Sequence, residues 1–153
     1  LARLIGLENI YVLTAECGDG EGMGRIGDIP GDMTLGMLSV KVKEALGLDA
    51  VRVVGNLSSK VKKAALCTGA GMDFLDDAID AGCDVFITAD VRYHEAMDAI
   101  DKNIALIDGT HYATENIIVP VLADYLRKKL SNRGVRDVEV LESSVDGQTF
   151  VHI

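Results

Sequence analysis

The sequence is short of positive charge. Fifteen Lys and Arg stand against 24 Asp and Glu over 153 residues, a net charge of −9. Nucleic acid is gripped by Lys and Arg set against phosphates, so it is not an expected partner. The surplus of negative charge instead draws cations toward any acidic cleft. Long apolar runs are also missing. None approaches the roughly 20 residues that a membrane-spanning helix needs, and no signal peptide is read at the start. No membrane partner is expected. Cysteine is scarce: Cys17, Cys67 and Cys83 form an odd set with no finger-like spacing. That argues against a disulfide framework and for a reduced, cytoplasmic setting. Cys67 and Cys83 lie in or beside apolar runs and read as small buried thiols. Histidine is rarer still in its distribution, since two of the three, His94 and His111, fall within 18 residues of each other.

What is present suits one packed domain. The hydrophobic fraction is 48% and the charged fraction 25%, values typical of a globule rather than a disordered chain. The chain opens Leu1-Ala-Arg-Leu-Ile-Gly-Leu7 rather than on Met. Those residues read like the last turns of a helix begun earlier, so a piece of a longer protein is expected.

From Ala15 to Gly31 the chain is rich in glycine, with Pro30 among them. Glycine opens backbone shapes closed to other residues, and the segment reads as a connecting loop or a string of tight turns. Gly18, Gly20 and Gly22 imitate part of a dinucleotide-binding fingerprint. No helical pattern follows directly, so that reading is set aside. Residues 1–33 are accordingly read as a Gly-rich N-terminal segment, the remnant of a missing lobe. Residues 34–153 are read as the α/β metal-site domain.

Thr34 can cap a helix to about Leu46, with Leu35, Leu38, Val42 and Leu46 at helical spacing and Gly47 as the stop. Val51–Val54 reads as a strand. A regular rhythm follows. Apolar strands at 64–67, 84–88 and 104–107 each lead into a helix, at about 72–81, 91–101 and 112–130. Residues 138–141 and 149–153 read as two closing strands around an Asp146-Gly147 hairpin turn. Strands alternating with helices imply an α/β fold. Its sheet is largely parallel, with helices on both faces and a C-terminal antiparallel addition. His152 falls in the last strand and reads as structural.

In such sheets ligands bind beyond the carboxyl ends of the strands. Two of the loops there hold the same kind of pair. One is Asp90-Val-Arg-Tyr-His94 and the other His111-Tyr-Ala-Thr-Glu115. On a helix, positions four apart share a face, so a carboxylate and an imidazole can turn toward one ion. The plainer alternative is that these residues cap helices or complement their termini. A catalytic metal usually takes three protein ligands. His111 and Glu115 give two; Asp90, Asp108 or Asp73 could assist. Thr68-Gly-Ala-Gly71 lacks the Lys-Ser/Thr finish of a P-loop. It reads as a tight turn, with contact to an anionic ligand or a subunit neighbour as the alternative.

Four motifs occur in order: Gly24-Arg-Ile-Gly-Asp-Ile-Pro30, Cys67-Thr-Gly-Ala-Gly-Met72, Phe86-Ile-Thr-Ala-Asp-Val-Arg-Tyr-His94 and Asp108-Gly-Thr-His-Tyr-Ala-Thr-Glu115. Together they resemble the C-terminal part of the NIF-three-like family, also called GTP cyclohydrolase 1 type 2 homologues. One departure is Thr110 beside Gly109, where family members often read Ala-Gly before the His. The resemblance implies a dinuclear centre of divalent metal ions, with zinc, iron and manganese as candidates. It implies assembly as a toroidal homo-hexamer. His111 and Glu115 match the family's C-terminal ligands, and the others come from an N-terminal region with a His-His pair and a later Asp. A metal-dependent hydrolase acting on a nucleotide or other small molecule is then expected, with His94 or Asp90 moving protons or orienting ligands. The competing function is a non-catalytic metal-binding or regulatory oligomer, and a plain structural α/β domain is the third.

Overall fold

A computed structural model describes residues 1–17, 21–145 and 147–150. Twelve elements follow the chain. Strands β1 (Glu8–Cys17) and β2 (Glu21–Thr34) lead into helix α1 (Leu35–Ala45). Strands β3 (Arg52–Val54) and β4 (Lys60–Leu66) come next, then a short 3-10 turn at Met72–Phe74 and helix α2 (Leu75–Asp80). The rest is β5 (Val85–Thr88), α3 (Tyr93–Asp101), β6 (Ala105–Asp108), α4 (His111–Asn116) and α5 (Ile118–Asn132).

The α/β class expected from the alternating pattern is the class observed, but with three antiparallel strand pairs to two parallel ones the sheet is mostly antiparallel rather than largely parallel. Six strands form one sheet in the order β1-β2-β4-β5-β6-β3. Its centre is the parallel ladder β4-β5-β6, with Leu66 opposite Ile87 and Ile87 opposite Ile107. Helices follow each of these strands, as the apolar runs indicated. β1, β2 and β3 pair antiparallel around that centre.

The antiparallel addition therefore comes from the N-terminal side and from β3. Residues 138–141 and 149–150 carry no strand pairing, and 151–153, including His152, lie outside the described residues, as does Asp146 of the expected hairpin. The alternation Val138-Glu-Val140 imitates a strand, but Val138 and Leu141 are exposed and the segment pairs with neither edge strand of the sheet among the described residues.

The described parts of the glycine-rich stretch are strand rather than loop, residues 15–17 closing β1 and 21–31 lying in β2, while Gly18 and Gly20 lie outside the described residues. β2 runs from Glu21 to Thr34, across the position between residues 33 and 34. Glycine serves close approach and bulging here. Gly24 sits at φ +64°, and a side chain there would press within about 3 Å of Leu13 and the Leu66 carbonyl. The register of β2 on β4 also slips between Asp28 and Met33. The opening residues form a hydrogen-bonded turn, Ile5 N–H to Leu1 O at 3.0 Å, and Ala2, Ile5 and Leu7 join the core.

Alternate residues of each parallel strand serve opposite faces. Ala64, Leu66, Val85, Ile87 and Ile107 pack against Leu35, Leu38 and Val42 of α1. Ala65, Phe86 and Leu106 pack against Leu75, Ala78 and Ala99 of α2 and α3, along with buried Cys67 and Cys83. Thr34 caps α1 as its sequence position suggested, Oγ1 accepting from Met37 N–H at 3.2 Å. Helix α5, the longest, buries only Ala123 while Ile118, Val121, Leu122, Tyr125 and Leu126 stay exposed in one stripe. Among the described residues no helix is long and apolar enough to cross a membrane.

Phe86 is fully buried at the middle of the ladder. Its truncation should leave a cavity that strand neighbours on both sides prevent from closing. Phe86→Ala is expected to cost about 3–5 kcal/mol, read from the midpoint of denaturant unfolding.

Candidate metal site

In-register parallel pairing brings Thr88 opposite Asp108, so β5 and β6 end level. The loops leaving β4, β5 and β6 thus emerge side by side, about 4.8 Å apart at their roots. Two buried hydroxyls tie them together. Thr88 Oγ1 donates to Gly69 O at 3.1 Å and accepts from Gly71 N–H at 2.9 Å. Thr114 Oγ1 accepts from Gly69 N–H at 3.0 Å, and lies 2.9 Å from Thr110 O and 3.0 Å from His111 O as its own acceptors. Both threonines are completely buried. Backbone bonds complete the seam: Ala89 N–H to Gly69 O at 3.0 Å and Gly109 N–H to Thr88 O at 2.9 Å. Motif reading did not single out these threonines. Their signal is a hydroxyl closing an otherwise apolar strand and another on the inner side of a helix at the sheet's carboxyl edge.

On this frame Asp90, His111 and Glu115 come together. His111 Nδ1 lies 2.6 Å from Asp90 Oδ2, and Nε2 lies 3.4 Å from Glu115 Oε2. An ionised carboxylate only accepts, so Nδ1–H is the donor and Nε2 keeps its lone pair in the neutral ring. His111 and Glu115 sit one turn apart on α4, as their spacing indicated. About half of each side chain is open to solvent: 48% for His111, 52% for Asp90, 54% for Glu115. The Asp90 hydrogen bond, reinforced by the charge of Glu115, holds the imidazole above its ordinary value of 6.5.

Gly69 forms the floor. It takes φ +66°, and a methyl there would fall 2.5 Å from Glu115 Oε1 and 3.3 Å from His111 Nε2. Only a residue without Cβ leaves the imidazole nitrogen and the carboxylate free at that spot. A neutral imidazole nitrogen beside a carboxylate, with the far ring nitrogen given to another carboxylate, is the donor arrangement of many divalent-metal ligands. The residues fit part of such a shell. They do not complete one: among the described residues no group of three His, Cys, Asp or Glu is arranged to hold an ion by itself.

The other candidates fall elsewhere. His94 stands exposed on the first turn of α3, its ring edge-on to Tyr93 at 5.8 Å between centroids. No hydrogen bond or ion pair joins it to Asp90, His111 or Glu115 among the described residues. Asp73 is exposed in the 3-10 turn. Asp108 is buried, and both of its oxygens are taken up by Arg52 and backbone amides. Cys67 lies behind the site; burial and then the charge of Glu115 push its thiol up, which keeps it neutral.

Comparison with known proteins bears on the family and the fold. The sequence profile of Duf34/NIF3 (NGG1p interacting factor 3) matches residues 1–148. A GTP cyclohydrolase 1 type 2 homolog of Streptococcus pneumoniae is 33% identical over 155 residues, covering 99% of this chain and 57% of that protein. One from Listeria innocua is 38% identical over 133 residues, covering 85% of this chain and 34% of that protein. The chain thus spans roughly a third to just over half of these relatives. The crystal structure of a Bacillus cereus protein related to NIF3 superposes with a TM-score of 0.82 at 30% identity, covering 86% of this chain and 36% of that one. By profile, by sequence and by fold, the chain belongs to the Duf34/NIF3 family.

Proposed function

We propose that this chain supplies one wall of a divalent-metal centre, with His111 and Glu115 as ligands, in a metal-dependent hydrolase-like protein. The observation that carries the reading is the presentation of His111: Nδ1 bound to Asp90, and Nε2 beside Glu115 over a floor kept clear by Gly69. Asp90 fixes the tautomer that leaves Nε2 available. His94, exposed nearby in sequence at the start of α3, is the residue proposed to move protons at the rim. The remaining ligands of a two-ion centre would come from outside this chain, in keeping with the greater length of the relatives. Nitrogen and carboxylate donors suit zinc, iron and manganese alike. The ions, when bound, would polarise the bond under attack and acidify water. The substrate class is a nucleotide or similar small molecule.

Assembly as a homo-oligomer, a hexamer by the family resemblance, belongs to the same proposal; the exposed apolar stripe on α5 supports a covered face there. Two buried free thiols support a reducing, cytoplasmic setting. A second reading, a non-catalytic metal-binding or regulatory oligomer, is favoured by one observation: the described residues make no complete metal shell.

Three outcomes test the site. His111→Ala should lower zinc affinity by more than the roughly 10–100-fold lost when only an outer partner is removed. Its melting temperature should barely move, because a half-exposed side chain leaves no core cavity. Titration calorimetry beside a thermal melt checks both, and full zinc binding would end the ligand assignment.

Gly69→Ala should weaken zinc binding as well. A left-handed backbone adds about 1–2 kcal/mol of destabilisation for a residue with Cβ, readable in the same experiments.

Asp90→Asn should bring the His111 imidazole back down toward 6.5, followed by NMR titration. The sign for stability follows. A raised folded value means that the Asp90–imidazolium pairing contributes fully below 6.5 and is lost as pH rises through the raised value. The stability gap between wild type and Asp90→Asn should therefore stay open in acid and close as pH rises above 6.5 through the raised value.

A further inference from the structure

Two residues of the site adopt backbone conformations that side-chain-bearing residues rarely take: Asp90 at φ 54° and Thr110 at φ 62°. The second is the costlier, because Thr is β-branched. Its hydroxyl Oγ1 is also buried without a hydrogen-bond partner. Strained residues persist only where their surroundings over-determine them.

The surroundings here converge on one group. Val91 N–H, in the peptide that follows Asp90, donates to Asp108 Oδ2 at 3.1 Å. Thr110 N–H donates to Asp108 Oδ1 at 3.0 Å. Each oxygen of a single carboxylate therefore holds one strained position. Asp108 is only 5% exposed. Arg52 of β3 compensates its charge, donating Nη2 to Oδ2 and also to the Val91 carbonyl at 3.1 Å. The guanidinium thus grips the loop at the next peptide, through the carbonyl of the same residue. With both oxygens occupied in this way, Asp108 is not disposed to bind an ion.

We infer that Asp108 is a positioning residue for the Asp90–His111 pair. Its two oxygens fix the peptide that follows Asp90, on the β5 loop, and the peptide that leads into Thr110, one residue ahead of His111, on the β6 loop. Arg52 supplies the counter-charge that makes a buried carboxylate tolerable there. Asp108 makes no hydrogen bond to the imidazole; it acts through the backbone. Any consequence for metal rests on His111 and Glu115 being ligands, as proposed above, while the consequence for the imidazole does not.

The test is Asp108→Asn, which keeps the shape but replaces one acceptor oxygen by an amide that faces an N–H donor. Nitrogen-15 NMR of the His111 ring, at a pH where the ring is neutral, reads the tautomer directly. The wild type should show the Nδ1–H form, and Asp108→Asn a mixture in which that form has lost its dominance. Zinc affinity should fall about tenfold or more, within the range for residues that orient a ligand. If Asp108→Asn fails to fold, Asp108→Ala with Thr110→Gly is measured instead, which removes both acceptor oxygens. Glycine takes the left-handed conformation without strain, so the fold is recovered while the hold on the Asp90 loop stays broken. A folded variant with the wild-type Nδ1–H signal overturns the inference. Failure of both variants to fold makes Asp108 a residue of the fold alone and overturns it too. Wild-type zinc binding in His111→Ala would overturn the metal reading and leave the tautomer result standing.

Discussion

Everything at the carboxyl edge depends on the parallel ladder of β4, β5 and β6. Parallel strands in register end together, and here Thr88 pairs with Asp108 at the last rung. Asp90 lies two residues beyond one end and His111 three beyond the other. The 2.6 Å contact between their side chains is therefore a consequence of register. A slip of one residue would also turn Phe86 from one face to the other, so the burial that stabilises the ladder is what aligns the site. Strand ends leave amides and carbonyls without ladder partners, and in a buried edge each would be costly. Thr88 and Thr114 answer that need, because a hydroxyl can accept and donate at once: Thr88 does both with the loop after β4, and Thr114 accepts from that loop while donating to its own helix start. Their bonds to Gly69 and Gly71 make three loops into one surface.

The ladder was legible in the sequence because buried parallel strands are continuously apolar. Val85-Phe-Ile-Thr88 is buried at every position, and no helix of ordinary amphipathic pattern reads that way. β2 was not legible for the opposite reason. Its glycines are turn signals by composition, and what makes them strand residues is the neighbour pressed against them, Leu13 and the Leu66 carbonyl at Gly24. That information is tertiary. The segment 138–141 failed in reverse: alternation supplied a local preference, but a strand needs an edge to pair with, and none meets it.

The site shows the same division. His111 and Glu115 share a face because a helix begins at His111, so their spacing was informative. Asp90 and His94 have the same spacing but not the same backbone. α3 begins only at Tyr93, and Asp90 sits before it in a left-handed conformation. Four residues along a non-helical turn do not bring two side chains to one face. Asp90 found its partner on the neighbouring strand's loop instead, a contact between residues 21 apart in the chain. Asp108 carried a weaker signal, a charged residue closing an apolar strand, and its use as a backbone clamp became visible only with the loops in place.

Charge decides how this edge meets a cation. Asp90 and Glu115 both face His111, and the cation at hand, Arg52, is committed to Asp108. The carboxylates beside the imidazole are thus left without a fixed counter-ion from that quarter, and the chain's overall charge of −9 adds in the same direction. A proton is the smallest cation available, and the raised imidazole value shows that the site favours taking one. In the proposed centre, proton and metal would compete for the same Nε2 lone pair. The features that would attract a divalent ion therefore also make its binding weaken as the medium turns acid, and Asp90 contributes to both: it fixes the tautomer that exposes Nε2 and strengthens the affinity of the ring for a proton. The balance between the two is set by the Asp90–His111 hydrogen bond.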